Sequence, residues 1–150
     1  MTTHQQTSTS LRSLLGIEAL ALLTSIHHLD ELGMSFLVAA TLAVSLPIIS
    51  IWWFLRTLSQ VARWTYSILV ALMILGFGLG DGLWNHAIKM IAFLLVGASR
   101  AEMVGLPFPP VGSAFHEITG VSAFVATVFA AYFGYQFIRT DSRPTTAKVT

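Results

Sequence analysis

The sequence predicts an all-α fold, a four-helix transmembrane bundle, and three observations support this. The chain of 150 residues is 55% hydrophobic with only 10% charged residues, whereas soluble domains carry about 25% charged residues. Its mean hydropathy is +0.74. Its apolar runs approach or exceed the length of about 20 residues that a helix needs to cross a bilayer. The chain is therefore predicted to be an integral membrane protein.

Four apolar stretches predict the helices in chain order. The first, from about Leu11 to Leu29, ends in the polar sequence TSIHHLDELG, where Gly33 marks a tight turn into the second helix. The second is the uncharged run GMSFLVAATLAVSLPIISIWWFL. The third begins near Trp64 and keeps a helical pattern to about Ala98, which is longer than a bilayer requires. The proline-rich connector RAEMVGLPFPPVG cannot continue a helix, and the fourth helix then runs from about Val111 to Ile138.

Domain organisation and orientation follow from the polar tails and the basic residues. Residues 11–140 are predicted to form one transmembrane domain between two disordered polar tails, residues 1–10 and 141–150. Basic residues near helix ends are retained on the cytoplasmic side. Of the eight basic residues, only Lys89 and Arg100 lie on the opposite, outer side of the membrane in the predicted topology. The expected location is the bacterial inner membrane with both termini cytoplasmic, because the remaining basic residues lie on that side: Arg12, Arg56, Arg63, Arg139, Arg143 and Lys148.

Composition excludes several classes of function. The net charge is +1 and the basic residues are dispersed, which argues against nucleic-acid binding. The chain has no cysteine, which excludes disulfides and thiolate metal sites. The expected partners are the lipid bilayer and a lipid-soluble small molecule, and a homo-oligomer is compatible with the sequence.

Polar residues suited to metal binding occur at the predicted outer ends of three helices. Helices 1 and 3 run outward and helix 4 runs inward, so these clusters arrive at one depth near the outer leaflet. Ionisable residues inside a membrane are costly and normally face a partner in the bundle interior. The convergence predicts a metal site, with these candidate ligands: His27, His28, Glu31, Asp81, Asn85, His86, His116 and Glu117.

The residue types restrict the metal. Imidazoles combined with carboxylates suit iron, zinc, manganese or copper, and the absence of sulfur argues against soft-metal storage. Residues three or four apart share a helix face, so one of His27 and His28 can act together with Glu31. The two histidines point about 100° apart, and only the one that faces the bundle is expected to ligate directly.

Glycines and a buried acid are the other notable features. Gly76, Gly78, Gly80 and Gly82 form two interleaved pairs of small residues four apart, a pattern typical of close helix packing. A locally unwound backbone that aims Asp81 and His86 is the alternative interpretation. Glu18 lies well inside helix 1, where it is either a proton relay or a hydrogen-bonded structural residue.

Two motifs in helices 3 and 4 resemble a known pattern. They are GDGLWNHAIKM, with Asp81, Asn85, His86 and Lys89, and FHEITGV, which begins at Phe115. The chain resembles, in these motifs, a group of uncharacterised small bacterial four-helix integral membrane proteins. The resemblance covers about half of the chain, implies no activity, and supports treating these positions as a unit.

The leading functional hypothesis is a membrane metalloenzyme, an oxidoreductase or hydrolase acting on a lipid-soluble substrate. Asp30 and Glu117 are the candidate catalytic residues, since a carboxylate beside a metal can act as general base. One alternative is a proton or divalent-ion transporter that passes its cargo inward toward Glu18. Another is a b-type haem protein with two axial histidines, although the clustered carboxylates argue against an apolar macrocycle there. A purely hydrogen-bonded polar network also remains open.

Overall fold

The computed structural model describes residues 3–97 and 114–141, and every regular element in these ranges is helical. Helix α1 spans Thr3–Leu32, a 3-10 turn Gly33–Phe36, and α2 Leu37–Thr57. Helix α3 spans Gln60–Met73, a π-helical segment Ile74–Ile88, and α4 Lys89–Val96. Helix α5 spans Ala114–Asp141. The all-α prediction is confirmed for this part of the chain.

By length and composition, the described residues contain three helical stretches able to cross a membrane: Gln5–Thr57, Gln60–Leu95 and Ala114–Arg139. This is one fewer than the four spans predicted from the sequence. The difference arises because only a 3-10 turn separates α1 from α2, so the two helices count as one stretch of 53 residues. Gly33 lies in this turn with a φ of +63°, a conformation that glycine adopts without strain.

The outer surface of the helices is apolar. Large hydrophobic side chains point away from the protein on every long helix, among them Leu15, Val38, Leu72 and Ile118. Soluble monomers rarely expose apolar surface on this scale, whereas lipid is a suitable neighbour for it. The surface therefore agrees with the prediction of an integral membrane protein.

The helix boundaries differ from the sequence prediction at the N-terminus. Helix α1 begins at Thr3 rather than near Leu11, so most of the stretch predicted as a disordered tail is helical. Ser10 and Ser13 are buried, and Ser13 Oγ lies 2.9 Å from the hydroxyl of Tyr66. This contact joins α1 to α3 about three turns after the start of α1. The predicted proline-rich connector falls in residues 98–113, outside the described residues. Of the predicted C-terminal tail, residues 141–150, only Asp141 is described, and it ends α5.

Helix α5 packs most extensively against α1 and against the π-helical segment. The core between the helices is built from apolar side chains such as Ile17, Phe54 and Tyr66. At the end of the bundle where α3 begins, Arg63 donates a hydrogen bond of 2.7 Å to the carbonyl oxygen of Ile138 on α5. These contacts hold three helices side by side and bring their polar ends together at the opposite end.

The π-helical segment carries the glycines and three of the predicted ligands. Gly82 lies directly against α5, where a Cβ would approach the backbone nitrogen of Phe124 to 2.8 Å. Gly78 likewise faces Thr127, whereas Gly76 has open space around it. The close-packing interpretation is therefore confirmed for the pair Gly78 and Gly82. The backbone is not unwound there but widened, a geometry that occurs frequently at functional sites.

Candidate metal centre

Three elements converge at one end of the bundle. Helix α1 contributes His27 and His28, the π-helical segment contributes Asp81 and His86, and the first turn of α5 contributes His116. Within the part of the chain that the structure describes, these residues form two groups able to hold a metal ion, and the groups share His27. One group is His27, His28 and Asp81, and the other is His27, His86 and His116. In each group the ligand atoms lie within 4.8 Å of one another.

His27 is enclosed, with 1% of its surface exposed. Its Nδ1 lies 3.1 Å from the carbonyl oxygen of His116 and 3.1 Å from the hydroxyl of Thr119. A carbonyl oxygen only accepts hydrogen bonds, so Nδ1 carries the proton. The Thr119 hydroxyl donates to carbonyl oxygens of its own helix and is likewise an acceptor for the imidazole. The neutral ring therefore presents an unprotonated Nε2, which is buried and has no hydrogen-bond partner among the described residues.

His28 is fixed in the same way. Its Nδ1 donates to the carbonyl oxygen of Thr24, one turn earlier on α1, over 3.0 Å. Its ring stacks on Phe36 with centroids 4.8 Å apart. Its Nε2 then lies 3.8 Å from Oδ2 of Asp81, the same distance that separates His27 Nε2 from this oxygen. Both adjacent histidines therefore direct a ring nitrogen at one carboxylate oxygen, although the sequence predicted that only one of them would face the site.

His86 is held between two carboxylates. Its Nδ1 lies 3.2 Å from Oε2 of Glu117, and its Nε2 lies 3.6 Å from Oδ1 of Asp81. Oε1 of Glu117 lies 3.4 Å from the ammonium group of Lys89, and both of these residues are buried. A carboxylate that orients a metal-binding imidazole through its other nitrogen is a recurring feature of metal sites. The contacts of Glu117 suit this orienting role rather than direct ligation.

The π-helical winding explains how Asp81 and His86 meet. In an α-helix, residues five apart point about 140° away from each other. A π-helix has hydrogen bonds from i to i+5, so residues five apart come onto nearly the same face. Asn85 lies beside them and donates a hydrogen bond of 3.0 Å to Oδ1 of Asp81. Asn85 thus steadies the carboxylate, and its amide nitrogen faces the site.

The remaining predicted residues lie at the open side of the cluster. Oδ2 of Asp30 is 3.9 Å from Nδ1 of His116, and the Asp30 side chain is 44% exposed. His116 is 15% exposed, and its ring lies 3.9 Å from that of His27, centroid to centroid. Glu31 is exposed and belongs to neither metal-capable group found in the described ranges. The structure therefore brings His116 into the cluster, places Asp30 at its mouth, and leaves Glu31 outside.

The distances from the Asp81 carboxylate oxygens to the imidazole nitrogens are typical of ligands around a metal rather than of hydrogen bonds. The three nitrogen–oxygen separations are 3.6, 3.8 and 3.8 Å, and a separation of 3.6 Å is too long for a hydrogen bond. Ligands bound tetrahedrally at 2.0–2.1 Å lie about 3.4 Å from one another. The separations between the Asp81 oxygens and the imidazole nitrogens therefore exceed the tetrahedral spacing by only about 0.2–0.4 Å.

Sequence reasoning missed the groups that orient the imidazoles. The carbonyl oxygens of Thr24 and His116 are backbone atoms, which leave no signal in the residue types. Lys89 was noted in the helix 3 motif, and its spacing of three from His86 could have indicated that both approach Glu117.

The chain matches no protein-family model, no curated protein and no solved structure.

Replacing Glu117 with glutamine is expected to lower metal affinity by about 10- to 100-fold, as is usual for loss of an orienting carboxylate. Glutamine keeps the size of the side chain but removes the charge that faces His86 and Lys89. The measurement is competition of purified protein with a chelator of known affinity. Glu31→Gln is the matched control, because it makes the same chemical change at an exposed position. Equal affinities in the two variants would contradict an orienting role for Glu117.

Proposed function

We propose that this chain is a four-helix integral membrane protein that binds a transition metal at the outer end of its bundle and acts as a metalloenzyme on a lipid-soluble substrate. The single observation that carries the metal site is the arrangement around Asp81. Three imidazoles, those of His27, His28 and His86, have Nδ1 bonded to oxygen acceptors and Nε2 directed at the two oxygens of this carboxylate.

The dimensions of α1 and α2 support two spans rather than one. The helices have 30 and 21 residues, and each exceeds the length of about 20 residues that a bilayer requires. They contact each other, and Ile17 and Ile51, which lie at nearly equal distances from the turn, belong to the same buried cluster. A chain reversal at Gly33 accounts for this pairing. The basic residues favour cytoplasmic termini, which would place the metal centre near the outer leaflet.

The composition of the centre favours a transition metal over the alkaline-earth ions. Imidazole nitrogen suits zinc, copper, iron and nickel, whereas calcium and magnesium prefer oxygen ligands. A bound transition metal would supply Lewis acidity or redox chemistry. Iron, zinc and copper fit the donor set best, and manganese is less favoured because only one carboxylate faces three imidazoles.

The arrangement supports non-haem chemistry. The rings of His27, His86 and His116 pack directly against one another, with centroid separations of 3.9 to 5.1 Å. A haem with two axial histidines needs the full thickness of the macrocycle between the two imidazoles, and these contacts leave no space for it. The carboxylate of Asp81 lies beside the same rings, where an apolar macrocycle would be poorly accommodated.

The open side of the cluster supports catalysis. Asp30 and His116 form a carboxylate–imidazole pair there, 3.9 Å apart and accessible to water, which can hold or accept a proton beside the metal. Trp84, Phe115 and Ile118 lie near this end with large exposed apolar surfaces. A molecule dissolved in the bilayer can approach the centre along these side chains. Glu117 orients His86 in this proposal instead of acting as a general base.

Metal analysis of the detergent-purified full chain tests the proposal. We expect at least one equivalent of iron, zinc or copper that survives dialysis, and a visible spectrum without a Soret band. The reason is that the nitrogen–oxygen separations at Asp81, 3.6 to 3.8 Å, are close to the spacing of about 3.4 Å between tetrahedral ligands. Protein that stays free of metal after incubation with each of Fe²⁺, Zn²⁺, Mn²⁺ and Cu²⁺ would overturn the metal site, and a Soret band would overturn the non-haem assignment.

Ion transport is the second candidate, favoured by one observation at Glu18. Its Oε1 is buried and has no hydrogen-bond partner in residues 3–97 and 114–141. Glu18 lies nine residues before His27, about 14 Å along the helix axis. In a transporter, Glu18→Gln should abolish proton or ion flux into proteoliposomes while metal binding persists. In an enzyme, the same variant should keep both metal and activity.

A further inference from the structure

We infer that the centre holds two metal ions bridged by the carboxylate of Asp81, an inference that rests on the proposed metal site. The first observation is that the five converging residues form two metal-capable groups of three rather than one group of five. The second is that the two oxygens of Asp81 face different imidazoles.

The first ion is assigned to His27, His28 and Oδ2 of Asp81. Both Nε2 atoms lie 3.8 Å from this oxygen. Because each Nδ1 donates to a backbone carbonyl, each ring has one lone pair left, and that lone pair is on Nε2. Two imidazoles and one carboxylate oxygen leave a tetrahedral or five-coordinate ion with positions open for water or substrate.

The second ion is assigned to His86 and His116, which belong to the second group, with Oδ1 of Asp81 reaching it from the side of His86. His86 Nε2 lies 3.6 Å from Oδ1, and the rings of His86 and His116 are 5.1 Å apart, centroid to centroid. His27 also belongs to this group by distance. It has only one lone pair, however, and cannot serve both ions at once. When the first ion is present, the second ion is therefore held by the other two histidines of its group, and the bridging carboxylate contacts it beside His86.

The chemistry of two-metal sites fits this assignment. In such sites the ions lie about 3.5–4 Å apart and act together on one substrate. Helical bundles hold paired metals through carboxylates and histidines that project inward from facing helices. Two dications also need negative charge nearby. Asp81 provides it between the ions and Asp30 provides it next to His116, whereas the charge of Glu117 behind His86 is shared with Lys89.

Stoichiometry tests the inference. The full chain, stripped with a chelator in detergent, is titrated with Zn²⁺ and analysed for bound zinc after dialysis. We expect two equivalents in the wild type, and one equivalent in each of His28→Ala and His116→Ala, since each variant loses a ligand of a different ion. His4→Ala is the matched control, because His4 is a histidine far from the cluster in sequence, and it should keep two equivalents.

A second measurement uses only wild-type protein and does not depend on how the variants fold. Protein loaded with Cu²⁺ should give an electron paramagnetic resonance spectrum of two coupled spins, as expected for ions about 3.5–4 Å apart. A single uncoupled signal together with one equivalent of zinc would overturn the two-metal inference and leave the proposed function standing. Zero equivalents of either metal would overturn both.

Discussion

Asp81→Asn is expected to reduce metal affinity at least about 100-fold, because loss of a direct ligand should exceed the 10- to 100-fold effect of losing an orienting partner. Asp81 is the residue whose oxygens face three imidazoles, those of His27, His28 and His86. The amide of asparagine has one oxygen, which is a weaker ligand, and carries no charge. If two ions are bound, both lose their shared ligand, so the change should remove more metal than any single histidine substitution.

The measurement is metal content after dialysis, followed by competition with a chelator. Asp30→Asn is the matched control, because Asp30 lies at the exposed mouth of the cluster, and its loss should change affinity only a few-fold. A purely hydrogen-bonded network predicts a different result: wild-type protein without metal, and a loss of about 1–3 kcal/mol of stability in Asp81→Asn. Asp81→Asn protein that binds metal as tightly as the wild type would contradict the central position of this carboxylate.

Gly120→Ala is expected to displace the ring of His86 and to lower metal affinity at least about 10-fold, comparable to the loss of an orienting group. A Cβ at Gly120 would overlap the Cγ, Cδ2 and Nδ1 atoms of His86. The ring has little room to yield, because Glu117 holds its Nδ1 and the side chain is buried. Overpacking of this kind usually costs about 1–3 kcal/mol of stability.

Metal affinity and thermal stability of the purified variant measure both effects. Gly76→Ala is the matched control, since it adds the same methyl group within the π-helical segment, where nothing lies within 4 Å of the new Cβ. It should leave metal binding unchanged. A Gly120→Ala protein that behaves like Gly76→Ala would show that His86 does not rest against this glycine.

The helices and their capacity to cross a membrane were readable from the sequence because they depend on local properties. Apolar runs long enough to cross a bilayer appear directly in the residue types, and the structure confirms helices over them. Gly33 marked the turn between α1 and α2 for a local reason as well, since its positive φ suits glycine. The early start of α1 at Thr3 was not readable, because Thr and Ser are weak helix formers, and burial against other helices decides their state.

The convergence of the histidines and Asp81 was also predictable, because helix direction and residue number together set depth. The assignment of roles was not. Glu31 was predicted as a ligand from its spacing to His27 and His28, yet its side chain is exposed. Glu117 was predicted as a ligand and catalytic residue, and these roles stay predictions; its two oxygens face His86 and Lys89. Helix spacing shows which residues share a face, but the rotation of each helix in the bundle decides what that face meets.

The sequence by itself determined that residues 3–97 and 114–141 are helical, that their helices are apolar enough for a membrane, and that imidazoles and carboxylates gather at one end. These properties follow from composition and periodicity. Only the tertiary structure decided that both His27 and His28 face Asp81, that a π-helical segment brings Asp81 and His86 together, and that backbone carbonyls fix the ring nitrogens that carry protons. The physical reason is that the first two features, and the bond from His27 to the His116 carbonyl, depend on contacts between helices or on a local change of winding, which residue spacing along one helix does not encode. The Thr24 carbonyl that fixes His28 lies on the same helix, but it is a backbone atom and leaves no signal in the residue types.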